Sequence, residues 1–129
     1  MTALSPEVVA LLRDRSFAHL AFVDEEGLPH VTPMWVDATD DGRVLINTAE
    51  GRVKERVLTE GSAVALSVSM PDRPYSYVLI RGTIASRTTD GAVEAINKLS
   101  QKYHGTDYAL PDGMIRVTLL IEPRQVVVH

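Results

Sequence analysis

The 129-residue sequence contains no cysteine, and this absence excludes several kinds of chemistry. Disulfide bridges, thiol nucleophiles and cysteine-rich zinc sites are all ruled out. A chain without disulfides fits a reducing compartment, so we expect a cytoplasmic protein. We expect no metal site, and we interpret the histidines as structural or solvated, because none shows the spacing of metal ligands. They are His19, His30, His104 and His129.

Basic charge and long apolar runs are also scarce. The 13 Lys and Arg residues are outnumbered by 17 Asp and Glu residues, so overall charge favours neither nucleic acid nor an anionic membrane as a partner. Glu7, Arg13, Asp14 and Arg15 interrupt the apolar N-terminal stretch, and we predict neither a signal peptide nor a membrane span. The composition is that of a globular protein, and the length predicts a single domain over residues 1–129.

Short β-rich segments separated by turn residues account for most of the chain. Six such segments cover residues 17–23, 29–38, 43–48, 62–70, 75–87 and 114–129. Helices are predicted after Ser5 as N-cap, from Gly51 to Glu60, and from Asp90 as N-cap to Gly105. The pattern predicts a mostly β fold, an antiparallel barrel of six or seven strands with two to three short helices.

The segment "NTAEGRVKERVL" has an unusual arrangement of charge for a surface helix. At about 100° per residue, Val53, Val57 and Leu58 form an apolar arc, and Lys54 falls inside it. One interpretation is that the lysine stem lies along the apolar surface and its ammonium reaches water. The other is that the ammonium faces a bound anion, because a buried charge needs a partner.

Neighbouring groups favour the second interpretation. Thr48 ends the preceding strand and Gly51 forms the turn, which predicts unpaired backbone N–H groups beside a hydroxyl, the Arg52 guanidinium and the Lys54 ammonium. We therefore predict a phosphate site. A nucleotide-hydrolysing P-loop is excluded because its G-x-x-x-x-G-K-[ST] pattern is missing, and we expect Glu50 to point outward.

Two further segments carry candidate site residues. In "HVTPMWV", Pro33 belongs on an edge strand or at a bulge, and Trp35 is either a core residue or part of a wall for a flat ring system. In "RPYSYVLIRG", we expect Tyr75 and Tyr77 on one strand face, packing across strands or meeting a ligand. Gly82 predicts a bulge or a close backbone approach, and Arg81 suggests an anion or a dimer partner.

The order of these motifs resembles the pyridoxamine 5′-phosphate oxidase-like split β-barrel superfamily. The segments "GLPHVTPMWV", "GRVKERVL" and "YVLIRGTI" are most similar to its small actinobacterial branch, which uses the deazaflavin coenzyme F-420. The resemblance covers residues 17–128 and rests on the order and spacing of the motifs. It implies a homodimer of split β-barrels with two cofactor sites at the interface.

The resemblance also implies roles for individual residues. The flavin-type ring would lie along residues 32–37, which include Thr32, Pro33, Met34 and Trp35. The cofactor phosphate would be held by Thr48, Gly51, Arg52 and Lys54, with Arg56 nearby. Tyr77 would approach the ring from the other subunit or from another strand.

Departures from the family pattern bear on the activity. The tail "IEPRQVVVH" lacks the Trp that completes the site in pyridoxamine phosphate oxidases, and Thr32 and Asp37 replace basic residues of the flavin-binding stretch. We expect a coenzyme F-420-dependent oxidoreductase that transfers a hydride between the deazaflavin and a small unsaturated organic substrate. The alternatives are an FMN-binding flavoprotein of the same fold and a non-catalytic module that binds or stores the cofactor.

Overall fold

Seven antiparallel strands form one curled sheet in the computed structural model, which describes residues 4–129. The sheet order is β2-β1-β5-β6-β7-β4-β3, so β2 and β3 are its two edges. The mostly β, split-barrel prediction with six or seven strands is confirmed. The strands are β1 (Phe17–Val23), β2 (Pro29–Met34), β3 (Asp37–Ala38), β4 (Val44–Ala49), β5 (Ala63–Ser69), β6 (Val78–Thr88) and β7 (Arg116–Val128).

Three helices accompany the sheet: α1 (Pro6–Arg13), α2 (Val53–Val57) and α3 (Ala92–His104). The Ser5 hydroxyl caps α1 by accepting from the Val8 N–H at 3.3 Å, as the sequence predicts. No helix within residues 4–129 is long and apolar enough to cross a membrane.

Alternate residues of the strands fill the interior of the half-barrel. The inward side chains of β1, β5 and β6 include Leu20, Leu66 and Ile80, each with no exposed surface. Helix α1 adds Val8 and Leu12 to the same core, so it covers one end of the curled sheet. The buried side chains thus form one hydrophobic core between the curled sheet and α1.

The edge position of β2 suits its proline. Pro33 pairs with His19 of β1 on one side, and no strand of the sheet lies on the other side, so the missing N–H costs no ladder bond. The prediction that Pro33 lies on an edge is confirmed. The single strand predicted over residues 29–38 is wrong, because Trp35 and Val36 separate β2 from β3.

A bulge interrupts the pairing of β6 with β7 at the predicted position. The register shifts between Arg81 and Gly82, and Gly82 lies opposite Pro123. A Cβ on residue 82 would lie 2.2 Å from the backbone oxygen of Glu122, so only glycine allows this approach. The prediction of a close backbone contact at Gly82 is confirmed.

Several element boundaries differ from the sequence-based predictions by one or more residues. Helix α2 ends at Val57 instead of Glu60, and α3 has Gly91 in place of Asp90 as N-cap. Tyr75 and Tyr77 precede β6, so their predicted shared strand face is wrong. Turn hydrogen bonds, including one from the Ser76 N–H to the Arg73 carbonyl, delay the strand beyond Pro74.

We expect Gly82→Ala to lower the free energy of unfolding by about 1–3 kcal/mol, because the added methyl group must displace the backbone of β7. Urea denaturation followed by circular dichroism measures the loss. Gly113→Ala is the control: its φ is +77° in open space, so it adds backbone strain without a clash. An unfolding midpoint of Gly82→Ala equal to that of the wild type would contradict the prediction.

Candidate functional site: a basic cleft at the split of the barrel

A cleft of about 290 Å³ opens where the end of edge strand β2 faces the end of β4. Helix α3 forms one wall, and the turn before α2 forms part of the rim. The lining residues come from six distant parts of the chain, which the sheet brings together. They are Phe17, Pro33, Met34, Trp35, Asn47, Thr48, Arg52, Lys54, Ile96, Leu99, Tyr108 and Arg116.

The charge of this lining is of one sign. Arg52, Lys54 and Arg116 contribute three cations, and no Asp or Glu lines the cleft. The whole chain, in contrast, carries a formal net charge of -4. A concave surface with three cations and no counter-charge attracts an anionic ligand.

The Lys54 side chain points into the cleft and is half-buried. Its Nζ donates to the Thr32 hydroxyl at 3.1 Å, which joins α2 to the edge strand. Burial lowers the pKa of Lys54 from its usual value, and the positive charge of Arg52 lowers it further. No carboxylate within residues 4–129 forms an ion pair with this ammonium. The Lys54 ammonium is thus hydrogen-bonded to the neutral Thr32 hydroxyl and is not neutralised by a carboxylate.

The Thr48 hydroxyl is an unsatisfied polar group at the same place. Thr48 lines the cleft and is 1% exposed, and its Oγ1 has no hydrogen-bond partner among residues 4–129. Leaving a buried hydroxyl unpaired costs about 1–3 kcal/mol. A ligand oxygen near Thr48 would remove this cost.

Arg116 is a cleft residue that the sequence analysis missed. It is 5% exposed, its Nε donates to Asn47 Oδ1 at 2.9 Å, and its guanidinium lies 5.0 Å from the centre of the Tyr108 ring. The only sequence signal was a single arginine in the apolar run "MIRVTLLI", which simple strand alternation does not distinguish from an ordinary surface charge.

Apolar and aromatic side chains form the walls beside the charged floor. Trp35 stacks on Tyr103 with ring centroids 5.3 Å apart, and Phe17 lies 5.7 Å from the same ring. Ile96 and Leu99 of α3 also line the cleft. An apolar slot with a cationic end suits a flat ring system that carries an anionic group.

The predicted supply of free backbone N–H groups at the turn is wrong for two residues. The Gly51 N–H donates to Glu55 Oε1 at 2.8 Å, and the Arg52 N–H donates to the Ala49 carbonyl at 3.3 Å. These two N–H groups are therefore not free to bind an anion. Glu50 is exposed, as expected.

Six of the ten residues predicted for the cofactor site line the cleft: Pro33, Met34, Trp35, Thr48, Arg52 and Lys54. Thr32 accepts a hydrogen bond from the cleft residue Lys54. Gly51 lies at the adjoining turn. Arg56 instead faces a concavity with Asp24, Glu25 and Glu26.

Tyr77 and Asp37 also lie outside the cleft of their own chain. Tyr77 stacks on His129 in a separate depression, with ring centroids 4.4 Å apart. Asp37, at the far end of the expected ring-binding stretch, lines another concavity with Lys98 and Lys102. In the described part of the chain, no group of three or more His, Cys, Asp or Glu side chains is placed to hold a metal ion.

The fold and this cleft define a split-barrel protein with a basic cleft. The chain belongs to the pyridoxamine 5′-phosphate oxidase family, whose model matches residues 4–128. No curated protein matches the chain by sequence.

Several solved structures are similar to this chain in fold. The chain is similar to an F-420 reductase, with 27% identity and a TM-score of 0.79 over 96% of this chain and 98% of that one. A pyridoxamine 5′-phosphate oxidase-related, FMN-binding protein of Nostoc punctiforme is 14% identical, with a TM-score of 0.67 over 97% and 84% of the two chains. A conserved hypothetical protein of Mycobacterium tuberculosis is 17% identical, with a TM-score of 0.70 over 98% and 84%. The last two similarities show the fold alone.

We expect a bound anionic ligand to raise the pKa of Lys54 from the lowered value of the free protein, because the charged ammonium gains a partner. Ligand affinity should then fall as the pH rises through the pKa of Lys54 in the free protein. The chain has only three lysines, so NMR of ¹³Cε-labelled lysine, with Lys54→Arg for assignment, measures this titration directly. An unchanged Lys54 titration in the saturated complex would place the anion elsewhere.

Proposed function

We propose that the cleft binds coenzyme F-420 and that the protein is an oxidoreductase acting on a small unsaturated organic substrate. The observation that carries this proposal is the cluster of Arg52, Lys54 and Arg116 without a carboxylate, next to an apolar slot. Arg116 is buried and Lys54 is half-buried, so an anionic partner stabilises their charges. A phosphorylated ring cofactor supplies both an anion and a flat apolar surface.

Each part of the cleft has a role in this proposal. Arg52 and Lys54 bind the phosphate from the rim, and the Thr48 hydroxyl donates to one of its oxygens. The backbone from Thr32 to Trp35 supports the ring along the open edge of β2. When bound, the deazaflavin supplies the two-electron hydride chemistry. The chain orients the ring, and the walls keep water from it.

The unsatisfied Thr48 Oγ1 is the direct test of fit in this structure. It lies in the cleft lining with the two rim cations, where a phosphate oxygen would complete its hydrogen bonding. Lys54 already donates to a neutral oxygen of Thr32, so its remaining donors are available to an anion. The residues present therefore fit a phosphate group.

The choice of coenzyme F-420 over FMN follows the stronger of the two similarities. The F-420 reductase is 27% identical to this chain, and the Nostoc FMN-binding protein is 14% identical. The cleft itself contains no group that distinguishes the two rings, so FMN is the second candidate. A cofactor-binding module without turnover is the third, since we assign no proton donor.

A homodimer is the second part of the proposal. The outer face of β1, β2 and β5 exposes Val23 to 58% and Val31 to 64%, and an apolar concavity lies between these strands. Arg81 stands at its margin, where Nη1 donates to Gln125 Oε1 at 2.9 Å. An exposed apolar sheet face of this kind is typical of an interface. The family resemblance implies that Tyr77 approaches the ring from the other subunit or from another strand, and the first of these alternatives depends on this dimer.

We expect Lys54→Met to weaken cofactor binding by about 1.5–3 kcal/mol, the usual contribution of a charged hydrogen bond. Titration with coenzyme F-420, followed by quenching of its fluorescence, and a parallel titration with FMN give the affinities. Lys98→Met is the matched control, because Lys98 is exposed on α3 and lines a different concavity.

Tighter binding of coenzyme F-420 than of FMN supports the proposal, and the reverse order favours the flavoprotein alternative. Tight binding without turnover of any unsaturated acceptor favours the storage module. Wild-type protein that binds neither molecule would overturn the proposal.

We expect the wild type to be a dimer and Val31→Glu to be a monomer, because an unpaired carboxylate in an apolar interface costs on the order of 3–5 kcal/mol. Sedimentation velocity measures the change in mass. Val93→Glu is the control, since Val93 is 40% exposed on α3, away from the apolar face. A monomeric wild type, or a Val31→Glu variant that remains dimeric, would contradict this interface.

A further inference from the structure

Arg116 stands out because its guanidinium is buried without a carboxylate partner. Nε donates to Asn47 Oδ1 at 2.9 Å, and Nη1 makes a weak contact of 3.5 Å to the Met114 sulfur. No other hydrogen bond from this side chain exists within residues 4–129, so Nη2 has no acceptor there. A guanidinium has five N–H donors, and most of them are therefore unused.

The surroundings of Arg116 make its charge costly. Burial lowers the pKa of Arg116, the electrostatic interaction with Tyr108 partly opposes this effect, and the Arg52 charge adds to it. The faces packed against the guanidinium come from β4, the loop holding Tyr108, and the cleft itself. A planar fork with free donors that faces an open cleft is the arrangement with which arginine binds an oxyanion.

Asn47 fixes the direction of this fork. Its Nδ2 donates to the Ala92 carbonyl at 3.0 Å and to the Thr118 hydroxyl at 3.2 Å, which orients Oδ1 toward Arg116. The residue is 7% exposed and connects β4, α3 and β7. An amide oxygen holds the guanidinium in place and leaves its charge uncompensated, which an aspartate at the same position would not do.

We propose that Arg116, positioned by Asn47, binds the phosphate of the ligand from the buried floor of the cleft and selects phosphorylated ring compounds over unphosphorylated ones. This inference rests on the proposed function and assigns phosphate selectivity mainly to the floor. Arg52 on the rim is exposed, and an exposed charge contributes little affinity. Arg116 is desolvated, and its fork can form two parallel hydrogen bonds to one phosphate.

The test compares two ligand pairs. FMN and riboflavin differ only by the phosphate and form the matched pair, and coenzyme F-420 is compared with its ribityl deazaflavin fragment, which lacks the phosphate together with the acidic tail. Fluorescence titration gives the ratio of affinities within each pair. We expect Arg116→Met to reduce the preference for the phosphorylated member by about 10- to 150-fold, while affinity for the unphosphorylated member stays near the wild-type value. Arg116→Lys should recover only part of the preference, because lysine lacks the planar fork.

Asn47→Asp provides the test of positioning, and it keeps the size of the side chain. The new carboxylate pairs with Arg116, so we expect the phosphate preference to fall although the guanidinium is still present. A residue that acted only through the fold would change both members of a pair alike. Arg15→Met removes an exposed arginine that does not line the cleft and should leave both ratios unchanged.

The outcomes separate the two proposals. Wild-type protein that binds none of the four compounds would overturn the proposed function. Binding of the phosphorylated compounds with unchanged ratios in Arg116→Lys and Asn47→Asp would overturn the role of Arg116 alone. Circular dichroism confirms folding, and if Arg116→Met does not fold, those two milder variants decide the result.

Discussion

Positive charge held out of bulk water without negative charge is the constraint on which the site depends. The chain is acidic overall, yet the only charged side chains among residues 4–129 that line its cleft are cationic. Each partly desolvated cation is held by neutral groups: Thr32 for Lys54, and Asn47 with the Tyr108 ring for Arg116. Such groups orient a charge and leave it uncompensated. The fold therefore leaves uncompensated positive charge in the cleft, which an anionic ligand would neutralise.

Helix α3 and the end of β2 form the walls of the cleft around these cations. The Tyr103 hydroxyl donates to the carbonyl of Ser16, the residue before β1, and accepts from the Val36 N–H. Helix α3 is thus joined to the start of β1 and to the segment between β2 and β3. Lys102 donates to the carbonyls of Leu12 and Val36 and adds a second connection. These bonds connect α3 to the segment that follows β2, next to the cleft.

Local pattern was enough to predict the strands, the edge proline and the inward lysine, because each is encoded within a few neighbouring residues. Helical periodicity isolated Lys54 among apolar positions, and the prediction of its direction needed no knowledge of the fold. Arg116 was missed because its significance depends on Asn47, which is distant in sequence and adjacent only through the pairing of β4 with β7. Arg56 and Tyr77 line other concavities of the same chain. Their expected roles at the cofactor remain predictions, because a contact across an interface requires a second copy of the chain.

The stacking of Trp35 on Tyr103 has a practical consequence for the study of this molecule. Trp35 is the single tryptophan of the chain and lies in the cleft wall. Its ultraviolet emission therefore arises from one place only, beside the slot. A flavin or deazaflavin ring bound there would absorb this emission. The fluorescence intensity of Trp35 would therefore report whether the cleft is occupied, without any added label.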